Sequence, residues 1–167
     1  MSARVVVAGI GNELRGDDGV GPEVARRVSA TAGSIGHGGG RVEQLGPFAS
    51  PLDLLGNWDG AELAVIVDAV HAEAEPGALI VTEIDTRAAS DDHDGLGGAS
   101  THGIGLAGVL RMARALGEGP RRVVLVGVVG EDFGVGSGLS PATRSAVEGA
   151  RRAVLAIVSG AAATCPD

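Results

Sequence analysis

The sequence predicts an α/β domain of three layers, α/β/α, around a central, mostly parallel sheet of about five strands. Three observations carry this. The runs Val5 to Ile10, Leu63 to Ala69 and Val123 to Val129 are nearly continuous and rich in β-branched residues, the pattern of strands covered by helices on both faces. Apolar residues at helical spacing lie between them. Strand and helix also alternate along the chain, as crossovers between parallel strands require.

Taken in order, the first strand passes into a glycine turn and then a helix. Val20, Val24 and Val28 recur every four residues, Pro22 sits in the first turn where its missing N–H is harmless, and Arg26 and Arg27 suit the far end of the dipole. Arg41 to Leu45 and Ala78 to Ile84 read as weaker strands, the second near an edge, with room for one of the two to run antiparallel. Pro51 to Leu55 is a short helix or turn. Leu106, Val109, Leu110 and Ala113 form a helical stripe ending near Gly117. The last helix starts at Ser140 as N-cap with Pro141 just inside, and carries Val147, Ala150, Val154, Ile157 and Val158 on one face. Residues 1–160 are thus expected to form one domain, and 161–167 a frayed tail. No repeat or linker interrupts it. Only 86–101, acidic and glycine-rich, is too long for an ordinary connection.

Composition removes several functions. At 167 residues the chain can bury a core without disulfides or metals. A net charge of -8 argues against a nucleic-acid partner, which calls for a concentrated basic surface. No lysine is present, so neither Schiff-base chemistry nor a P-loop is available. The one cysteine, Cys165, lies in the tail without a thiol partner. With Phe48, Trp58 and Phe133 as the only aromatics, there is no stacking surface for bases. No apolar run reaches the roughly 18 residues of a membrane span, and the first residues lack a signal-peptide layout, so a soluble cytoplasmic protein is expected.

In an open α/β sheet, ligands gather where loops diverge from the carboxyl ends of the strands. That topology selects Asp17 and Asp18 after the first strand, Asp68 at the end of AVIVDAV, and His102 ahead of the second apolar helix. Asp68 is the sharpest candidate, because a carboxylate ending an apolar run is expensive to desolvate unless a cation, donor or water meets it. An acid at a helix start has a structural use, but two adjacent acids cannot both fill it. Asp17 is therefore assigned to the helix start or a supporting position, and Asp18 to the crevice. Asp18, Asp68 and His102 make an oxygen-rich ligand set with one imidazole and open positions, suited to nickel, zinc or iron(II). His71 and His93 compete with His102, the first expected to face solvent and the second to belong to the acidic loop. The glycines of GIGNELRG do not form a dinucleotide fingerprint, and neither a zinc helix of the H-E-x-x-H type nor a G-x-S-x-G elbow is present.

Four blocks together resemble the hydrogenase maturation endopeptidases: GIGNELRGDDGVG at 9–21, AVIVDAV at 64–70, STHGIGLAGVL at 100–110 and VVLVGVVGEDFGVGSGLSPAT at 123–143. The resemblance spans nearly the whole chain. It implies an α/β/α fold and a protease that trims the C-terminal extension of a nickel-iron hydrogenase large-subunit precursor once nickel is in place. It also implies that Asp18, Asp68 and His102 contact the metal as the catalytic set, and that nickel comes with the precursor rather than being held permanently. Two segments depart from the family pattern: EQLGPFASPLDLL after the second strand, and the longer acidic loop before His102. The alternative from another class is a chaperone or binding module that checks for nickel on the same precursor without cutting it. A metallohydrolase with its own zinc is a third reading, opposed by the lack of a cysteine or second imidazole in reach.

Overall fold

The computed structural model describes residues 3–32, 41–84, 86 and 105–163. Five strands form one sheet: β1 (Arg4–Ile10), β2 (Arg41–Phe48), β3 (Leu63–Val70), β4 (Leu79–Ile84) and β5 (Arg122–Val129), in the order β2-β1-β3-β5-β4. Among the described residues three α-helices flank it, α1 (Val20–Ala32), α2 (Leu106–Leu116) and α3 (Pro141–Ala163). The first four strands in this order are parallel and β4 pairs antiparallel to β5 at the edge. Its alternating exposed and half-buried residues are those of a strand with one hydrogen-bonded neighbour and incomplete cover. β2 forms the other edge.

The period of two along each strand divides the core into two layers. Val5, Val7, Val65, Val67, Val124 and Val126 pack with Val24 and Val28 of α1 and Val147 and Val154 of α3. On the opposite face, Val6, Ala8, Ala64, Ile66 and Leu125 pack with Val109 and Leu110 of α2 and with Leu54 and Trp58. Each such side chain contributes roughly 1.5 to 3 kcal/mol by leaving water, so a core of aliphatic residues suffices.

Local signals set the helix ends. Gly117 closes α2 in the left-handed region, at φ 72°, donating its N–H to the Ala113 and Arg114 carbonyls. Ser140 Oγ accepts the Thr143 N–H at the start of α3, as its position before Pro141 predicts. Pro51–Leu54 forms a 3-10 turn with a capping box between Ser50 and Asp53. β2 runs three residues beyond the predicted Leu45. Its pairing shifts register between Ala8 and Ile10 and resumes at Ile10 with Phe48, passing the cis Gly46–Pro47 bond that reads in sequence as a stop. No described helix is long and apolar enough to cross a membrane.

The chain order places the crevice. From β1 the path leads through α1 to β2 on one side, while β3 lies on the other side of β1, so the loops leaving β1 and β3 part. The first turn of α1 is pushed into this gap. A Cβ on Gly9 would fall 2.2 Å from the Gly21 carbonyl oxygen, and one on Gly21 would fall 2.3 Å from that of Ile10 and 2.6 Å from that of Val67. Helix backbone therefore lies directly on strand backbone, and the residues just before α1 are delivered to the carboxyl ends of β1 and β3.

Candidate functional site

Asp68 lies on β3 two residues before its end, on the face that packs against α2, and is paired in register with Gly127, which offers no side chain opposite it. It is 5% exposed. Burial pushes its pKa well above the ordinary 3.8, the nearby Asp18 pushes it further, and the Ala69 N–H offsets only part of this.

Asp18 comes from the 3-10 turn Gly16–Gly19 between β1 and α1 and is also buried. Its Oδ2 accepts the Asn12 N–H at 2.8 Å. Gly11, at φ 141°, passes so close to the Asp18 carbonyl that no Cβ could be accommodated. The turn is thereby closed onto itself with the carboxylate of Asp18 beside that of Asp68. Two carboxylates sharing a buried site can be met by a cation or by a shared proton.

Asp17 faces elsewhere. It is fully buried, and its donors lie on the segment after β5 rather than in α1: Glu131 N–H at 2.9 Å and Asp132 N–H at 3.1 Å to Oδ2, and Ser140 N–H at 2.7 Å to Oδ1. Burial by itself would raise its pKa, but these N–H groups hold it below 3.8. The sequence assigned it to the start of the adjacent helix; the structure gives it to the start of the last one. The supporting role stands, on a different element.

His102 and His93 lie outside the described residues, as does most of the acidic loop. His71 is exposed, as its position predicts, and its ring meets that of Phe133 with centroids 4.4 Å apart. Phe133 belongs to the segment between β5 and α3, which sequence reasoning left out of the site. Its glycines, and the acids Glu131 and Asp132 directly after an apolar strand, were the available signal. Among the described residues no group of three or more His, Cys, Asp and Glu could hold a metal ion.

Fold and site together define a three-layer α/β/α protein with paired buried acids at the switch point of its sheet. The family model described as "Hydrogenase maturation protease" matches residues 49–157, a span that includes Asp68 and His102. The chain belongs to the hydrogenase maturation protease family and is an endopeptidase of that class. It is 29% identical over 154 residues to the hydrogenase 2 maturation protease of Escherichia coli, covering 92% of this chain and 89% of that one. It is 31% identical over 151 residues to the hydrogenase expression/formation protein HupD of Rhodobacter capsulatus, covering 87% of this chain and 66% of that one. The solved structure of the hydrogenase maturating endopeptidase HybD from E. coli is similar over 95% of this chain and 93% of its own, at 26% identity and a TM-score of 0.73.

Proposed function

We propose that the protein is a cytoplasmic endopeptidase that removes the C-terminal extension of a nickel-iron hydrogenase large-subunit precursor after nickel insertion, reading the nickel held by its substrate. What supports this most is the buried pair Asp18 and Asp68, whose second member is kept well above its ordinary pKa by burial and by the first. Such a pair gains most from an arriving cation, so a metal-loaded precursor is distinguished from an empty one by charge at a place water reaches poorly. Asp18 and Asp68 offer the oxygens and His102 the imidazole. A metal held between substrate and these side chains can polarise the scissile carbonyl or a water as a Lewis acid.

Intact mass spectrometry of a candidate precursor, nickel-loaded and nickel-free, before and after incubation with the protein tests the reading. Loss of a C-terminal peptide from the loaded form alone is expected. Nickel-dependent binding without any loss of mass would instead favour the non-cleaving chaperone.

A further inference from the structure

Two apolar side chains stand in water beside the acids. Leu14, two residues ahead of the 3-10 turn that carries Asp18, is 72% exposed, and Val135, on the segment between β5 and α3, is 85% exposed. A single exposed Leu or Val is ordinary on any protein surface. Their main chains meet, because the Leu14 carbonyl accepts the N–H of Gly136, the residue after Val135, at 2.8 Å.

They are also held in place. Asp17 N–H donates to the Asp132 carbonyl at 2.7 Å, while the Asp17 carboxylate takes the N–H groups of Glu131, Asp132 and Ser140. Gly16, at φ 55°, lies so close to the Asp132 carbonyl that a Cβ would fall 2.2 Å from its oxygen. Gly134 N–H bonds Asp132 Oδ1 at 2.8 Å and Ser137 Oγ donates to the Gly134 carbonyl at 2.7 Å, closing the segment on itself. Apolar groups at the tip of a braced loop stay exposed by construction, with no freedom to fold back onto the core.

We propose that Leu14 and Val135 form an apolar lip that receives an apolar stretch of the precursor chain next to the bond to be cut, with Asp17 as the positioning residue that joins the lip's two halves. This rests on the function proposed above. The occupant follows from continuity with the site: Leu14 lies two residues before the 3-10 turn that holds Asp18, and Asp18 N–H bonds the Arg15 carbonyl at 3.1 Å, so a polypeptide bringing a metal to Asp18 and Asp68 has this edge beside it. A second copy seated here would close the site to substrate. Exposed Glu131 and Asp132 flank the lip, with Glu13 already paired with Arg26 at 3.1 Å and Arg15 exposed beside it, so the stretch it takes is bordered by basic rather than acidic residues.

The test measures both binding and cleavage of the nickel-loaded precursor with wild type, Val135→Asp, Val135→Ile and Asp17→Asn. Val135→Asp, at an exposed position, is expected to leave Tm unchanged, raise KM about tenfold and leave kcat within about twofold, while Val135→Ile keeps the wild-type KM. Asp17→Asn is expected to raise KM in the same way. Unaltered KM in Val135→Asp, with wild-type cleavage intact, would overturn the lip and spare the protease reading. A lower Tm with unaltered KM in Asp17→Asn would make that residue merely structural and overturn its positioning role. Binding without cleavage, weakened about tenfold by Val135→Asp, would uphold the lip and overturn the protease reading. Neither binding nor cleavage by wild type would overturn both.

Discussion

The carboxylate of Asp17 accepts the backbone N–H of Ser140 at 2.7 Å, so a residue ahead of the first helix caps the last one. With Glu131 and Asp132 N–H as further donors, this buried acid joins two segments more than 110 residues apart. Hydrogen bonds to charged groups are worth about 1.5 to 3 kcal/mol each, and Asp17→Asn turns a donor toward at least one of these N–H groups. Asp17→Asn is therefore expected to be less stable than wild type by about 2 kcal/mol or more at pH 7. Because the folded pKa of Asp17 is depressed, the stability it supplies is complete above 3.8 and is lost as pH falls through the lowered value. The difference between the two proteins should close in acid. Urea unfolding followed by the fluorescence of Trp58, the single tryptophan and fully buried, measures it at both pH values.

Asp68 has the opposite sign. Its folded pKa is raised by burial and by Asp18, so below 3.8 it carries its proton in both states. As pH rises above 3.8 the unfolded chain ionises first, and stability falls until the folded group ionises too. Asp68→Asn escapes this loss, and is expected to melt at a higher temperature than wild type at pH 7 while no longer processing the precursor. An equal or lower Tm at pH 7 would argue against a carboxyl whose pKa is raised by burial and by Asp18.

Asp18→Ala and His102→Ala are each expected to abolish processing with an unchanged circular dichroism spectrum. Wild-type rates of peptide release in both variants would remove the metal-reading assignment.

Gly21→Ala is a test of the fold beneath the site. The added methyl would meet the Ile10 carbonyl oxygen at 2.3 Å and that of Val67 at 2.6 Å, both backbone atoms of the sheet. Neither can move without breaking strand pairing, so a loss of about 3 kcal/mol or more is expected in urea unfolding. Gly56→Ala is the contrast. No atom lies within 4 Å of its Cβ, although its φ of 75° adds a backbone strain of about 1 kcal/mol.

Elements defined by neighbours in sequence were legible before the structure was known. Val65 to Val67 announce a strand covered on both faces, Ser140 and Pro141 announce a helix start, and Asp68 stands out as a charge after an apolar run. Asp17 was misplaced because its partners are main-chain N–H groups, which every residue but proline carries and which leave no mark in a sequence. The end of β2 was missed for a related reason: Gly46 and Pro47 read as a breaker, while the pairing of Phe48 with Ile10 that carries the strand past them is a property of its neighbour. The expected place of His102 in the trio lies outside the described residues.

Of the two candidate metal-reading acids, Asp68 is carried by β3 and Asp18 by the turn between β1 and α1, and the helix backbone wedged between the strand ends, where Gly9 pairs with Val67, has no side chain to yield. Their spacing is therefore set by close main-chain contacts at Gly9, Gly11 and Gly21, and that is a gap with little room to adjust. The surrounding loops can be rewritten to fit another precursor without widening that gap. Under the proposed function, the scaffold would work as a gauge with fixed jaws and replaceable guides: the jaws would ask whether a metal is in place, and the guides whose.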